Sequence, residues 1–264
     1  MIRIICLSAL CLLFCGGFEH SALAGVRLIK HRISVKKLMP KKIALVIGIK
    51  GSQKNTQWPY LQYTTRDAHR MRDALVKIAK FDRVLLRTTH QMTTTSQLLK
   101  TLQNLKKQLK SSRDMLFVYI SAHGVVSRGR ERFIITSDTT TNIPKTALSV
   151  RKIRQILQRF RSKQIALMLA ACYTGYRKAK AVSLPGTKGP LIAKAPIPKD
   201  RAIQILSASS HAQPAFESNT LRSDVYTHFF LDCLKSLPRK TIIKVHICAT
   251  SKTTHFVQKW NGQV

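Results

Sequence analysis

The chain has 264 residues, enough for one large domain, and its 44% hydrophobic and 22% charged composition excludes a disordered polymer. Lys and Arg total 46 against 11 acids, a net charge of +35. Both signs are spread along the whole chain with no basic stripe or reading motif. The charge is therefore an association property towards nucleic acid, anionic lipid or acidic polysaccharide, and it does not mark a sequence reader.

The first 24 residues read as an export signal: Arg3 precedes a run from Ile4 to Phe14 that is apolar apart from Ser8 and too short to span a bilayer. Ala22 and Ala24 put small residues before a cut at Gly25. A lipid anchor at Cys15 fits poorly behind bulky Phe14. The expected destination is secreted or periplasmic. Cys6, Cys11 and Cys15 would leave with the signal, and Cys172, Cys233 and Cys248 would remain. Three is odd, so at least one thiol lacks an intramolecular partner; a Cys233–Cys248 bridge would leave Cys172. Residues 25–42 form a basic arm.

From residue 43 strand and helix patterns alternate. "IALVIGI" (43–49) is a β-branched run. Ala68, Met71, Leu75 and Ile78 follow at helical spacing, and "RVLLRT" (83–88) is a short strand. Leu98, Leu102, Leu105 and Leu109 mark a helix with Thr95 or Ser96 as its N-cap. "MLFVYIS" (115–121) is apolar on both faces and is expected to be central; "RFIIT" (132–136) reads as half of a hairpin. Ser149 caps a helix that buries Val150, Ile153, Leu157 and Phe160. "QIALMLAA" (164–171) and "AIQILSA" (202–208) are further strands. A helix covers roughly 224–236 with Val225, Phe229 and Cys233 on one face.

Strands separated by helices predict a three-layer α/β/α sandwich around a mostly parallel sheet, in a domain over 43–237. Residues 173–201 interrupt the alternation with four prolines, three glycines and seven Lys or Arg, as an exposed loop would. Residues 238–264 are a basic segment that could supply the last sheet element.

Ligands of such sheets bind beyond the carboxyl ends of the strands. Two of those ends carry reactive groups, His123 in "ISAHG" and Cys172 in "LAACYTG". A thiol nucleophile needs a base within hydrogen-bond reach and amide donors for the oxyanion. Gly124 and the Cys172 amide are the candidate donors. Either half alone is weak, since a lone buried cysteine is more often core than catalyst. No phosphate-binding loop, dinucleotide turn, H-E-x-x-H helix or paired CxxC is present. Trp58, Tyr60 and Tyr63 read as loop or core anchors with a cleft rim as the alternative.

"KIALVIGI", "LQYTTRDAHRMRDAL", "FVYISAHG", "MLAACYTG" and "LSASSHAQPAFES" resemble the caspase-like cysteine peptidases, in particular the bacterial metacaspase-like branch, over residues 42–236. The resemblance implies a caspase–haemoglobinase fold, a His123–Cys172 dyad, a thioester intermediate and a protein or peptide substrate. It further implies substrate-binding positions at Asp67, Ala170, Ser207 and Ser209. The family's usual acid two residues before the nucleophile is Ala170 here, which implies weakened selectivity for Arg or Lys before the cut. Glu217 and Asp224 could compensate but read better as loop or helix-start acids. Tyr173 stands where the branch commonly has histidine. A chain this poor in acids offers few calcium ligands, so no metal or other cofactor is expected. Two other readings stay open: an inactive caspase-like binding module, and a cationic binding protein with an incidental thiol.

Overall fold

In the computed structural model, residues 39–127, 131–175, 203–207, 217–238 and 241–261 are described, with 172–175 and 260–261 as backbone only. The segment read as an export signal, most of the basic arm, the post-cysteine loop beyond Gly175, and Ser209 lie outside these residues.

The elements in chain order are β1 (Lys42–Gly48), α1 (Thr64–Lys77), β2 (Arg83–Arg87), α2 (Thr95–Gln108), β3 (Met115–Val126), β4 (Arg132–Ile134), α3 (Ile143–Thr146), β5 (Leu148–Ser149), α4 (Val150–Gln158), β6 (Gln164–Gly175), β7 (Ile203–Ser207), β8 (Glu217–Ser218), β9 (Ser223–Asp224), α5 (Val225–Ser236) and α6 (Ile242–Asn261). Five parallel strands run in the order β2-β1-β3-β6-β7. The antiparallel pair β4–β5, connected through α3, extends the sheet along the carboxyl end of β3, on the edge that β1 leaves open. This is the expected α/β sandwich, with β3 at its centre.

Side chains alternate between two cores, as the pleat requires. Leu45, Val118, Ile120, Leu167 and Leu169 face the layer formed by α2 and α4. Ala44, Val46, Phe117, Tyr119, Met168 and Ala170 face α1, α5 and α6. Helix α1 lies close against the end of β1: a Cβ on Gly48 would sit 2.5 Å from the Thr64 carbonyl oxygen, so only glycine fits.

Three expectations change. The α2 cap is Thr94, whose hydroxyl accepts from the Gln97 amide at 3.3 Å, one residue before the predicted position. β3 and β6 each run past their apolar cores, because they pair with one another as far as Val126 and Gly175. Among its described residues the carboxyl-terminal segment supplies a helix, α6, and no sheet strand. It buries Val245 and Ala249 against α5, and a disulfide joins Cys233 to Cys248 with their Cα atoms 6.1 Å apart.

Candidate active site

The site stands at the carboxyl ends of β3 and β6. In their parallel ladder His123 is the register partner of Cys172, one strand spacing away, about 4.8 Å. The ladder brings together two residues that are far apart in sequence.

His123 is held from the opposite side. After β1 the chain makes a loop that hydrogen-bonds to residues 137–140: the Gln53 amide donates to the Ser137 carbonyl at 3.2 Å, the Ser52 hydroxyl to the Thr139 carbonyl at 2.5 Å, and Asn55 Nδ2 to the Thr140 carbonyl at 3.2 Å. This fixed loop carries Pro59, whose carbonyl oxygen accepts from His123 Nε2 at 2.6 Å. A carbonyl can only accept, so Nε2 bears the hydrogen and Nδ1 is left as the ring nitrogen that can exchange a proton. Trp58 packs beside the imidazole, ring centroids 5.4 Å apart and tilted by 47°. Burial pushes the His123 pKa down; the Pro59 hydrogen bond and the Glu217 charge oppose it. The ring is thus biased towards the neutral form that a general base needs. Neither Trp58 nor Pro59 was predicted to hold the histidine, and a backbone acceptor has no sequence signature.

The backbone polarity of β3 places Gly124. The His123 carbonyl accepts from the Ile135 amide at 2.9 Å, towards β4. Amides alternate along a strand, so that of Gly124 faces β6, the strand carrying Cys172. The two strands remain paired beyond this point, with Gly124 opposite Tyr173. Gly124 can serve an oxyanion once its amide leaves that ladder.

Asp67, in the first turn of α1, is wholly buried. One carboxylate oxygen accepts from the Ser223 hydroxyl at 2.6 Å and from Arg70 at 3.4 Å, the other from the Asp224 amide at 2.8 Å. Burial pushes its pKa up against the lowering effect of Ser223, the Asp224 amide and Arg70, while Glu217 adds a further upward push. Asp224 caps α5, accepting from the Thr227 amide at 2.7 Å, and burial raises its pKa to about 7. Glu217 accepts from the Gln62 and Tyr63 amides, both at 2.8 Å, just ahead of α1. Both acids therefore do helix-start work and fasten the β8–β9 hairpin to α1. The serine before Asp224 and this double fastening were not foreseen; the Asp-x-x-Thr spacing at 224–227 is the signal that could have shown the cap.

Ala170 is buried, level with Ser121 of β3, on the face covered by α1 and α5. Ser207 is placed differently. Ile205 packs in the α2/α4 core and Leu206 in the α1/α5 core, so alternation sends Ser207 to the face opposite Ala170. Among the described residues no group of three or more His, Cys, Asp or Glu is placed to hold a metal ion.

Tyr63 is buried, its hydroxyl 3.0 Å from Asn219, whereas Tyr60 is exposed. Trp58 packs on the cluster of Val125, Phe133, Ile135, Ile143 and Ala147. The three aromatics divide between anchor and rim. A family model described as caspase domain matches residues 41–254. No curated protein matches the chain.

Proposed function

The chain belongs to the caspase-domain family, and on that premise we propose that it is an exported cysteine endopeptidase with His123 and Cys172 as its dyad. The observation that carries this reading is the register pair His123–Cys172 at neighbouring strand ends, with Nε2 of the histidine committed to Pro59.

In the proposed reaction the Cys172 thiolate attacks the scissile carbonyl carbon. The carbon–nitrogen bond then breaks, and His123 passes the thiol proton to the departing amine. Water hydrolyses the thioester, its proton taken by His123 and returned to the sulfur. Amides of Gly124 and Cys172 stabilise the oxyanion once the strand ends part. Export is supported by the Cys233–Cys248 disulfide, a bond of oxidising compartments. The metacaspase-like branch is supported by Asp67 in "TRDAH".

Selectivity for Arg or Lys before the cut is proposed to be weak. Ala170 offers no charge, and the Asp67 carboxylate is occupied by Ser223, Arg70 and the Asp224 amide. These same two residues favour a second reading, a caspase-like binding module without turnover. The deciding assay sets purified protein lacking residues 1–24 against a peptide library varied before the cut, with Cys172→Ala as the blank. Cleavage that disappears in the variant establishes the peptidase. Absence of cleavage by folded protein, with and without reductant and calcium, rejects it in favour of the binding module.

A further inference from the structure

The loop that holds His123 also forms a cleft of about 330 Å³, lined by Ser52, Gln53, Thr56, Trp58, Pro59 and Tyr60. Its place across the sheet gives it a direction. β6, with Cys172, lies on one edge of β3; β1 and β4 lie on the other. The cleft belongs to the loop that follows β1 and is fastened to the segment that follows β4. The order at the strand ends is therefore cleft, His123, Cys172.

A peptide lying across these ends puts its acyl carbon at the thiol and its leaving nitrogen at the histidine, the group that protonates it. The chain after the cut then continues past His123, over Trp58 and Pro59. We infer that this cleft is the subsite for the side chain immediately following the scissile bond, and that it selects uncharged, preferably aromatic, residues. The inference rests on the peptidase reading for its direction.

The lining decides the chemical class. Among the described residues it offers hydroxyl, amide and aromatic groups and no carboxylate, while Lys50 and Lys54 are exposed in the same loop, so a basic side chain finds no partner among them. Tyr60 is 66% exposed, a large ring standing at the rim where a second aromatic can cover it. The Trp58 Nε1 is buried and has no hydrogen-bond partner among the described residues. The loop is held by its hydrogen bonds to residues 137–140, so little ordering entropy is lost on binding.

The test uses purified Cys172→Ala protein with ¹⁵N-labelled tryptophan, titrated with Phe-Gly, Gly-Gly and Lys-Gly amides, which mimic the leaving side. Trp260 is the internal control. The expected result is a saturable shift of the Trp58 indole resonance, with the Phe amide bound roughly tenfold more tightly than the Lys amide. Tyr60→Ala should weaken the Phe amide roughly fivefold and leave the Gly amide unchanged. Equal affinities for Phe and Lys, an unmoved Trp58 resonance, or a Tyr60→Ala protein indistinguishable from its parent would each overturn the inference. The wild-type cleavage assay separates the two readings. Cleavage with no preference after the cut removes the subsite and keeps the peptidase; selective Trp58 binding without cleavage keeps the cleft's preference for uncharged side chains but removes the peptidase and, with it, the assignment to the residue after the cut.

Discussion

Replacing Asp67 by alanine tests whether this acid serves the fold or a substrate. Its carboxylate is wholly buried and answers two buried donors, the Ser223 hydroxyl and the Asp224 amide, at 2.6 and 2.8 Å. Orphaning such donors costs about 1–3 kcal/mol each, hence about 2–6 kcal/mol for the pair. Some of this is recovered, because burial already pushes Asp67 upward and its removal relieves that penalty. The expected loss is about 2–4 kcal/mol at pH 8, read from urea denaturation followed by circular dichroism at constant m-value. Asp67→Asn keeps the shape and one acceptor oxygen, so it should lose about 1–2 kcal/mol. If the acid works through the fold, the ratio of cleavage after Arg to cleavage after Gln stays constant in the asparagine variant. A loss below about 1 kcal/mol for the alanine variant would refute the burial argument. A stable asparagine variant whose Arg preference falls tenfold would assign the acid to the substrate pocket instead.

Asp224 supplies a pH test. Its pKa is about 7 in the folded protein against 3.8 for the free side chain, so between those values the folded state binds the extra proton. Stability should fall as pH rises from 4 to 7, by up to about 4 kcal/mol at about 1.36 kcal/mol per unit, and Asp224→Asn should flatten that slope in pH-dependent melts. Cys248→Ala should destabilise the protein by about 3 kcal/mol, the loop-closure value for a bridge of this span, measured by denaturation without reductant. Unreduced protein lacking residues 1–24 should show one fast-alkylating thiol, Cys172; His123→Ala should slow its reaction at pH 7 by roughly tenfold or more, because a neutral imidazole no longer takes the proton. Equal rates in the two proteins would separate the histidine from the thiol.

The frame of the fold was legible because each central strand is an unbroken apolar run and each covering helix repeats its buried residues at three and four. Leu98, Leu102 and Leu105 on α2 and Val150, Ile153 and Leu157 on α4 show this plainly. Helix α6 was not legible. Among its described side chains only Val245 and Ala249 are fully buried, its attachment to α5 runs partly through a disulfide, and Ile243 and Ile247 are exposed where a reader expects core. The β8–β9 hairpin is two residues a side, too short for any periodicity.

At the site, the legible part is what strand ends reveal: His123 and Cys172 are marked by the apolar runs that deliver them. What positions His123 is a proline carbonyl, and what fills Asp67 is a hydroxyl and an amide from β9 and a guanidinium from α1 itself. Backbone groups are the same at every residue, so no residue type announces them. Asp67 shows the consequence. A buried acid in so basic a chain invites a substrate cation, yet the fold has already supplied its partners, one of them an arginine a single turn away. Whether a side chain is available to a ligand depends on which of its hydrogen bonds the protein has already made, and that depends on contacts such as Asp67 with Ser223, made across 156 positions of the chain.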